Sequence, residues 1–177
     1  HDIEVAPVVH GEGLGYRALA KLVVGVNGEL GSYRPRTHDV QDMEGCAIHA
    51  PVVEEFISWM RPRIPQEEDL RYVVVRAALG AEPGLLVTLV SHESGPAVWE
   101  DFAGQIAERP EVASVWHDRQ PSDGDAIFSD AEHTCLLMRR ELFQPLGPIR
   151  QRLASGAFSQ VNPNVAEKLY AEVARRV

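Results

Sequence analysis

The chain reads as an α+β protein, a mainly antiparallel sheet with two helices on one face and a further helix at its C-terminal end. Three observations predict this. Two turn signals, Asn27-Gly28 and Ala81-Glu82-Pro83-Gly84, each separate runs rich in β-branched residues. Two amphipathic segments, 52–60 and 97–108, follow those hairpins and run into prolines. An Asn162-Pro163 pair then opens a last helical stretch, with Asn162 at the N-cap and Pro163 in the first turn, where its missing N–H costs nothing. The order hairpin, helix, hairpin, helix, strand predicts a duplicated ββα plan, although no residue-level repeat accompanies it.

At 177 residues, 45% of them apolar, the chain can bury one sizeable core, or one domain with an added helix. No apolar run approaches the roughly 20 residues that cross a bilayer, and no signal peptide is visible. Two cysteines without an evident partner speak for a reducing compartment. The expectation is a soluble cytoplasmic domain. Its formal net charge of −9 gives no support for a broad basic face. Phosphate contacts normally need one, so any RNA contact must rest on local basic groups or on other segments.

Residues 1–10 form either an edge strand or the tail of a linker, broken by Pro7. The Gly11-Glu12-Gly13-Leu14-Gly15 run precedes a strand rather than a helix, so a phosphate-cradling loop is not expected. The hairpin of strands 16–26 and 29–34, with the residues just after it, carries the densest basic group of the first half, Arg17, Lys21, Arg34 and Arg36. Period-2 alternation puts Arg17 and Lys21 on one side, and Arg34 joins them if the register permits. A solvated sheet face and a set of phosphate contacts both remain open.

Between 37 and 51, two imidazoles, several carboxylates and Cys46 invite a metal reading. Cys46 and His49 have a zinc-like spacing, but the second pair that a usual zinc site needs is absent, which leaves a half-buried Cys opening a helix. That helix, 52–60, ends at Pro62 and Pro65, and Gln66-Glu67-Glu68-Asp69 reads as a solvated acidic turn. Strands 70–79 and 85–92 alternate weakly and are expected at the centre of the sheet. Helix 97–108 and strand 112–116 follow, with Trp99 and Trp116 as core or rim aromatics. A polar loop over 119–130 leads to strands at 132–138, 141–146 and 149–153. His133 and Cys135 would share a strand face, as a nucleophile and base do, but no third orienting group is placed.

The last strand is expected to run to Gly156, before an irregular turn that presents Phe158 and Gln160 beside the helix N-terminus. A ring and a carboxamide there suit a flat polar ligand; the alternative is a capped turn with one core Phe.

Phe158-Ser159-Gln160-Val161-Asn162-Pro163 resembles the Phe-x-Gln-Val-Asn-Pro signature that introduces the methyltransferase domain of the RNA 5-methyluridine (uracil-C5) methyltransferases. Segment 15–51 looks like the iron–sulfur part of the same family: Tyr16-Arg17, a basic hairpin, Gly31-x-x-Arg34, then Asp42-x-x-x-Cys46-x-x-x-x-Pro51. The resemblance implies that Gln160 contacts S-adenosylmethionine and that Phe158 lines the place where cofactor and flipped uracil meet. It implies Cys46 as the fourth thiolate of a [4Fe–4S] cluster. Arg17, Lys21 and Arg34 become candidate RNA contacts. The family's upstream Cys-x5-Cys-x2-Cys run is absent from the chain, and Ala47 stands where the family usually has Pro. Since such clusters need several Cys thiolates, none is expected on this chain alone.

The family's Cys-Asn-Pro nucleophile and donor-binding domain follow the terminal helix, and neither Cys46 nor Cys135 precedes Asn-Pro. The expectation is therefore a central α+β domain over 1–154, with 155–177 leading into an absent methyltransferase domain. The whole would be an S-adenosylmethionine-dependent RNA uracil-C5 methyltransferase acting on rRNA or tRNA, with no membrane or DNA partner. The fragment itself is expected to be inactive, with no cofactor bound. Its terminal helix should pack poorly along Val165, Leu169, Val173 and Val177. A non-catalytic α+β module that binds RNA or protein is the other reading.

Overall fold

The computed structural model describes residues 7–65, 69–122, 126–129 and 133–176. β1 (Leu19–Val24) and β2 (Leu30–Tyr33) make the first hairpin. Its turn is wider than a two-residue Asn-Gly connection: Gly25 N–H donates to Glu29 O at 2.8 Å and Gly28 takes φ +82°. Glycine is suited to that left-handed position.

β3 (Val40–Asp42), a short strand not anticipated from the sequence, pairs antiparallel with β2. Next come α1 (Pro51–Met60), β4 (Leu70–Ala78) and β5 (Gly84–Ser91). A 3₁₀ turn, Pro96–Trp99, runs into α2 (Glu100–Ala107), followed by β6 (Val112–Arg119) and β7 (Thr134–Met138). β8 (Leu142–Leu146), β9 (Ile149–Leu153) and α3 (Pro163–Arg176) complete the order.

The main sheet runs β3-β2-β1-β4-β5-β6-β7, while β8 and β9 form a separate ribbon. Every neighbouring pair is antiparallel except β5 and β6, which are parallel and joined through α2. The expected α+β sheet with two helices on one face is therefore the fold. The duplicated plan is not: α1 returns the chain to β4, antiparallel beside β1, whereas α2 returns it to β6, parallel beside β5.

Both faces of the central strands are covered, which explains their weak alternation. On one face Leu22, Val73, Val75, Val87 and Leu89 meet Val53, Phe56, Ile57 and Met60 of α1 and Trp99, Phe102 and Ile106 around α2. On the other, Ala78, Leu86 and Ala113 carry the ribbon through Leu142 and Leu153, with Trp116 partly buried at the side. A third cluster joins Val23, Tyr72 and Val90 to Val40, Ile127 and Phe128.

Several sequence expectations need adjustment. Pro7–His10 carry no strand, and the rest of the 1–10 segment lies outside the described residues, as do 66–68 and Glu132. Asp69 is more than part of a solvated turn. Its carboxylate accepts the Ser94 N–H at 2.9 Å and also the Glu93 N–H, tying the start of β4 to the loop after β5.

The terminal helix is capped as expected: Asn162 Oδ1 accepts the Val165 N–H at 3.1 Å. It packs against β8, but only Pro163 and Ala166 are buried. Leu169 and Val173 remain 42% and 53% exposed, in keeping with the expected poor packing. Val177 lies outside the described residues. With so little tertiary support the cap matters more. Asn162→Ala is expected to cost about 1 kcal/mol of helix stability. Amide exchange in α3 should speed up accordingly, with the urea midpoint of the main sheet unchanged. No helix among the described residues is long and apolar enough to cross a membrane.

Candidate functional site

The turn between β9 and α3 is built from the sheet upward. β9 ends at Leu153, three residues before the expected stop at Gly156, and Gly156 has φ +75°. A Cβ on Gly156 would stand 2.8 Å from Cε1 and Nε2 of His133 and would push that ring aside, while the positive φ itself favours glycine. Ser155 Oγ lies 2.8 Å from Thr88 Oγ1 on β5 and 2.6 Å from His133 Nδ1. The start of the turn is thus fastened to the middle of the sheet.

Its next residues are held at backbone carbonyls and at the Ser159 hydroxyl. Arg76 of β4 donates Nη2–H to Ala157 O and Nη1–H to Ser159 Oγ, each at 2.5 Å. Gln151 Nε2 donates to Phe158 O at 3.2 Å, and Ala18 N–H donates to Val161 O at 2.8 Å. Two side chains take no part in this fastening. Phe158 is 77% exposed and the Gln160 carboxamide is exposed, with no hydrogen-bond partner among the described residues. Of the two readings of the turn, a presented ring and carboxamide describe it; Phe158 is not a core residue.

Turn and hairpin meet along β1. Arg17 is half-buried, its Nε donating to Leu19 O at 2.9 Å, and its backbone bridges to His49. Lys21 is exposed, with its ammonium 5.9 Å from the Phe128 ring centroid. Arg17 lies two residues before β1, so only Lys21 has its face set by the ladder, and Arg34 does not share that face. Val23 pairs with Gly31, so continuing that register sets Tyr33 opposite Lys21, and Arg34 lies past the end of β2. The wider turn sets this register, which strand periodicity alone does not fix.

Cys46 is half-buried in a turn five residues before α1, rather than at the helix start. The loop around it is clamped by Glu54. Its Oε1 accepts the Gly45 N–H at 2.7 Å, and its Oε2 lies 2.8 Å from His49 Nδ1. His49 is buried, with its Nδ1 side turned to Glu54. No cluster of three or more His, Cys, Asp or Glu side chains among the described residues can hold a metal ion. Cys135, the other thiol, is exposed on β7. One thiolate does not make a [4Fe–4S] site, so the donor set of this chain does not fit that group. Nor do the residues around Gln160 enclose a nucleoside: the cavity that Gln160 shares with Ala18, Gln144 and Ser159 measures about 10 Å³.

A cavity of about 590 Å³ was not anticipated. It lies away from the turn, between Gly95-Pro96 and the loop after β6, lined by His117, Asp118, Gln120 and Phe128. Its buried polar groups are engaged in holding that loop. Asp118 accepts from Ser129 N–H and Oγ–H, and Gln120 Nε2 donates to Phe128 O at 2.8 Å. Ser91 gives its hydroxyl to Ser94 O and so accepts from His117 Nε2–H at 2.8 Å. Burial pushes the His117 imidazole below its ordinary value, against the pull of Asp118. No hydrogen bond joins His133 to Cys135: His133 Nδ1 lies 2.6 Å from Ser155 Oγ, and partial desolvation on the strand pushes the otherwise exposed Cys135 thiol up.

No family model matches the chain. Among curated proteins it is 27% identical over 172 residues to an uncharacterized RNA methyltransferase of Listeria monocytogenes, covering 89% of this chain and 37% of that protein. An uncharacterized RNA methyltransferase of Geobacter sulfurreducens is 27% identical over 175 residues, covering 90% and 35%. The chain thus spans little more than a third of the length of these relatives.

Among solved structures, the tRNA (uracil-54, C5)-methyltransferase of Pyrococcus abyssi, in complex with S-adenosyl-L-homocysteine, superposes with a TM-score of 0.69. That match is 18% identical in sequence and covers 94% of this chain and 42% of the archaeal one. In sequence the chain resembles RNA methyltransferases, and in fold it resembles the archaeal tRNA uracil-C5 methyltransferase.

Proposed function

We propose that the chain is the central, RNA-recognising part of an S-adenosylmethionine-dependent RNA uracil-C5 methyltransferase that acts on rRNA or tRNA in the cytoplasm. One observation carries the reading: residues 157–161 are tied down while Phe158 and Gln160 stand free, in a chain related to RNA methyltransferases. In this reading residues 1–154 are one domain, and 155–177 lead into the methyltransferase domain. Gln160 contacts the methyl donor and Phe158 the flipped uracil. Arg17 and Lys21 meet RNA phosphates from just before β1 and from within it, and Arg34 does so from the loop beyond β2. Cys46 is the fourth thiolate of a cluster whose other ligands come from outside these 177 residues.

The chemistry needs a thiolate to add at C6 of the uracil, a base to remove the C5 proton, and a bound methyl donor. Neither Cys46 nor Cys135 is placed for the first task, so the nucleophile and donor pocket are assigned to the rest of the enzyme. What this chain supplies is orientation. A lone carboxamide contributes about 0.5–1.5 kcal/mol, and stacking of a base on an aromatic ring about 1–3 kcal/mol. The isolated chain is therefore expected to show no measurable affinity for S-adenosylmethionine.

The test is methyl transfer to uridine in rRNA and tRNA by the complete gene product. Gln160→Ala should lower kcat/KM by up to about tenfold, chiefly through the donor. Phe158→Ala should lower it by about 10- to 100-fold through the RNA. Unchanged kinetics for both variants would remove the turn from the site. A complete product that binds RNA but transfers no methyl group would favour the non-catalytic module.

A further inference from the structure

Arg76 is a guanidinium in the middle of an apolar strand, Tyr72-Val73-Val74-Val75-Arg76-Ala77-Ala78, and it is 4% exposed. In register it sits between Leu19 of β1 and Leu86 of β5. Among the described residues no carboxylate pairs with it. A buried charge without a counter-ion is costly, and only hydrogen bonds to the charged form offset it. Arg76 makes two, and both go to the same place: Ala157 O and Ser159 Oγ, one on each side of Phe158. Burial lowers the pKa of the guanidinium, but an arginine stays charged under any physiological condition.

The sheet does not require the charge. An unbranched apolar side chain would fill the space between Leu19 and Leu86 with no charge to bury. The turn does require it. With residues 157 and 159 fixed by Arg76 and 161 fixed by Ala18, the intervening positions 158 and 160 are held between fixed points, and theirs are the side chains left free. We infer that Arg76 is the positioning residue of this site, a fork reaching through the sheet face to hold Phe158 and Gln160 in presenting geometry. The assignment rests on the functional reading of the turn given above.

The experiment has two arms. In the 177-residue protein, backbone order parameters of the Phe158, Ser159 and Gln160 amides are measured by NMR relaxation for wild type, Arg76→Met, Arg76→Lys and Ser159→Ala. The wild-type turn should lie near about 0.85 and Arg76→Met below about 0.6, with β4 and β5 amides unchanged. Ser159→Ala, which leaves the sheet untouched, should fall between them, and Arg76→Lys should restore part of the loss. In the complete gene product, Arg76→Met should lower kcat for methyl transfer by more than tenfold with KM for RNA changed less than threefold, and Arg76→Lys should recover part of it.

A rigid turn in Arg76→Met, or unaltered kcat, would overturn the inference. If Arg76→Met fails to fold, Ser159→Ala decides: an unchanged order parameter at Phe158 would overturn it and a reduced one would support it. Should the wild-type gene product transfer no methyl group, the functional reading falls, while the order parameters still decide whether Arg76 holds the turn.

Discussion

Gly31→Ala is expected to break the β2–β3 pair, with a larger local effect than any surface change in the molecule. A Cβ built on Gly31 would stand 1.8 Å from Gln41 O, 2.7 Å from Gln41 C and 3.0 Å from Asp42 Cα. All three are backbone atoms, so no rotamer change relieves the overlap, and the strands must separate. The ladder through Gly31 and Asp42 would go, together with the Met43 N–H to Leu30 O bond. The ion pair of Asp42 with Arg61, 2.5 Å between Oδ1 and Nη1, would lose its geometry too. The Cys46 loop, which leaves directly from β3, would lose its upstream anchor and keep only the Glu54 clamp. Hydrogen exchange at residues 40–46 should approach that of an unfolded peptide, while β4, β5 and α2 keep their protection. Retained protection at 40–43 would mean that β3 can shift aside, and the steric account would be wrong. The same glycine is the first residue of the Gly-x-x-Arg element by which the sequence resembles its family.

Trp99→Ala should cost the most global stability. Trp99 is the largest of the fully buried side chains, packed among the α2 and sheet residues and stacked on His117 at 6.5 Å between ring centroids. Truncating a buried Trp to Ala typically costs about 3–5 kcal/mol, against total stabilities of about 5–15 kcal/mol. Trp99→Phe separates two contributions. The indole Nε1–H is buried with no partner among the described residues, so part of the packing gain is offset by an unmade hydrogen bond. The Phe variant should therefore lose far less than ring size alone suggests. Urea unfolding of both variants, with constant slope, would test this. Equal losses would show that the indole N–H contributes to stability despite its burial.

Much of the fold was legible because its elements obey local rules. Asn162 and Pro163 marked the start of α3, and the uniform apolar runs marked β4 and β5 as central. Three features were not legible, each for a physical reason. The parallel pairing of β5 and β6 leaves no local trace, since a strand buried on both faces looks the same whichever way its neighbour runs. Arg34 failed to join Lys21 because the width of a turn sets register. Glu54 and Arg76 act on segments 9 and 81–83 residues away in sequence, beyond any pattern of neighbouring residues. Arg76 did leave one signal: a single charge inside an otherwise apolar run, which invites the question of what it bonds.

The strand order also implies a folding sequence. β4 and β5 are joined by a short turn and β6 follows through α2, so the centre of the sheet assembles from contacts close in sequence. β1 can dock on β4 only after the long connection carrying β2, β3 and α1 has been laid down, a loop closure whose entropy is offset late. The turn with Phe158 and Gln160 leans on Ala18, just before β1, and on β4 through Arg76, so its full set of contacts needs that closure. Presentation of the two side chains is thereby tied to the β1–β4 pairing, and anything that separates those two strands releases the turn as well.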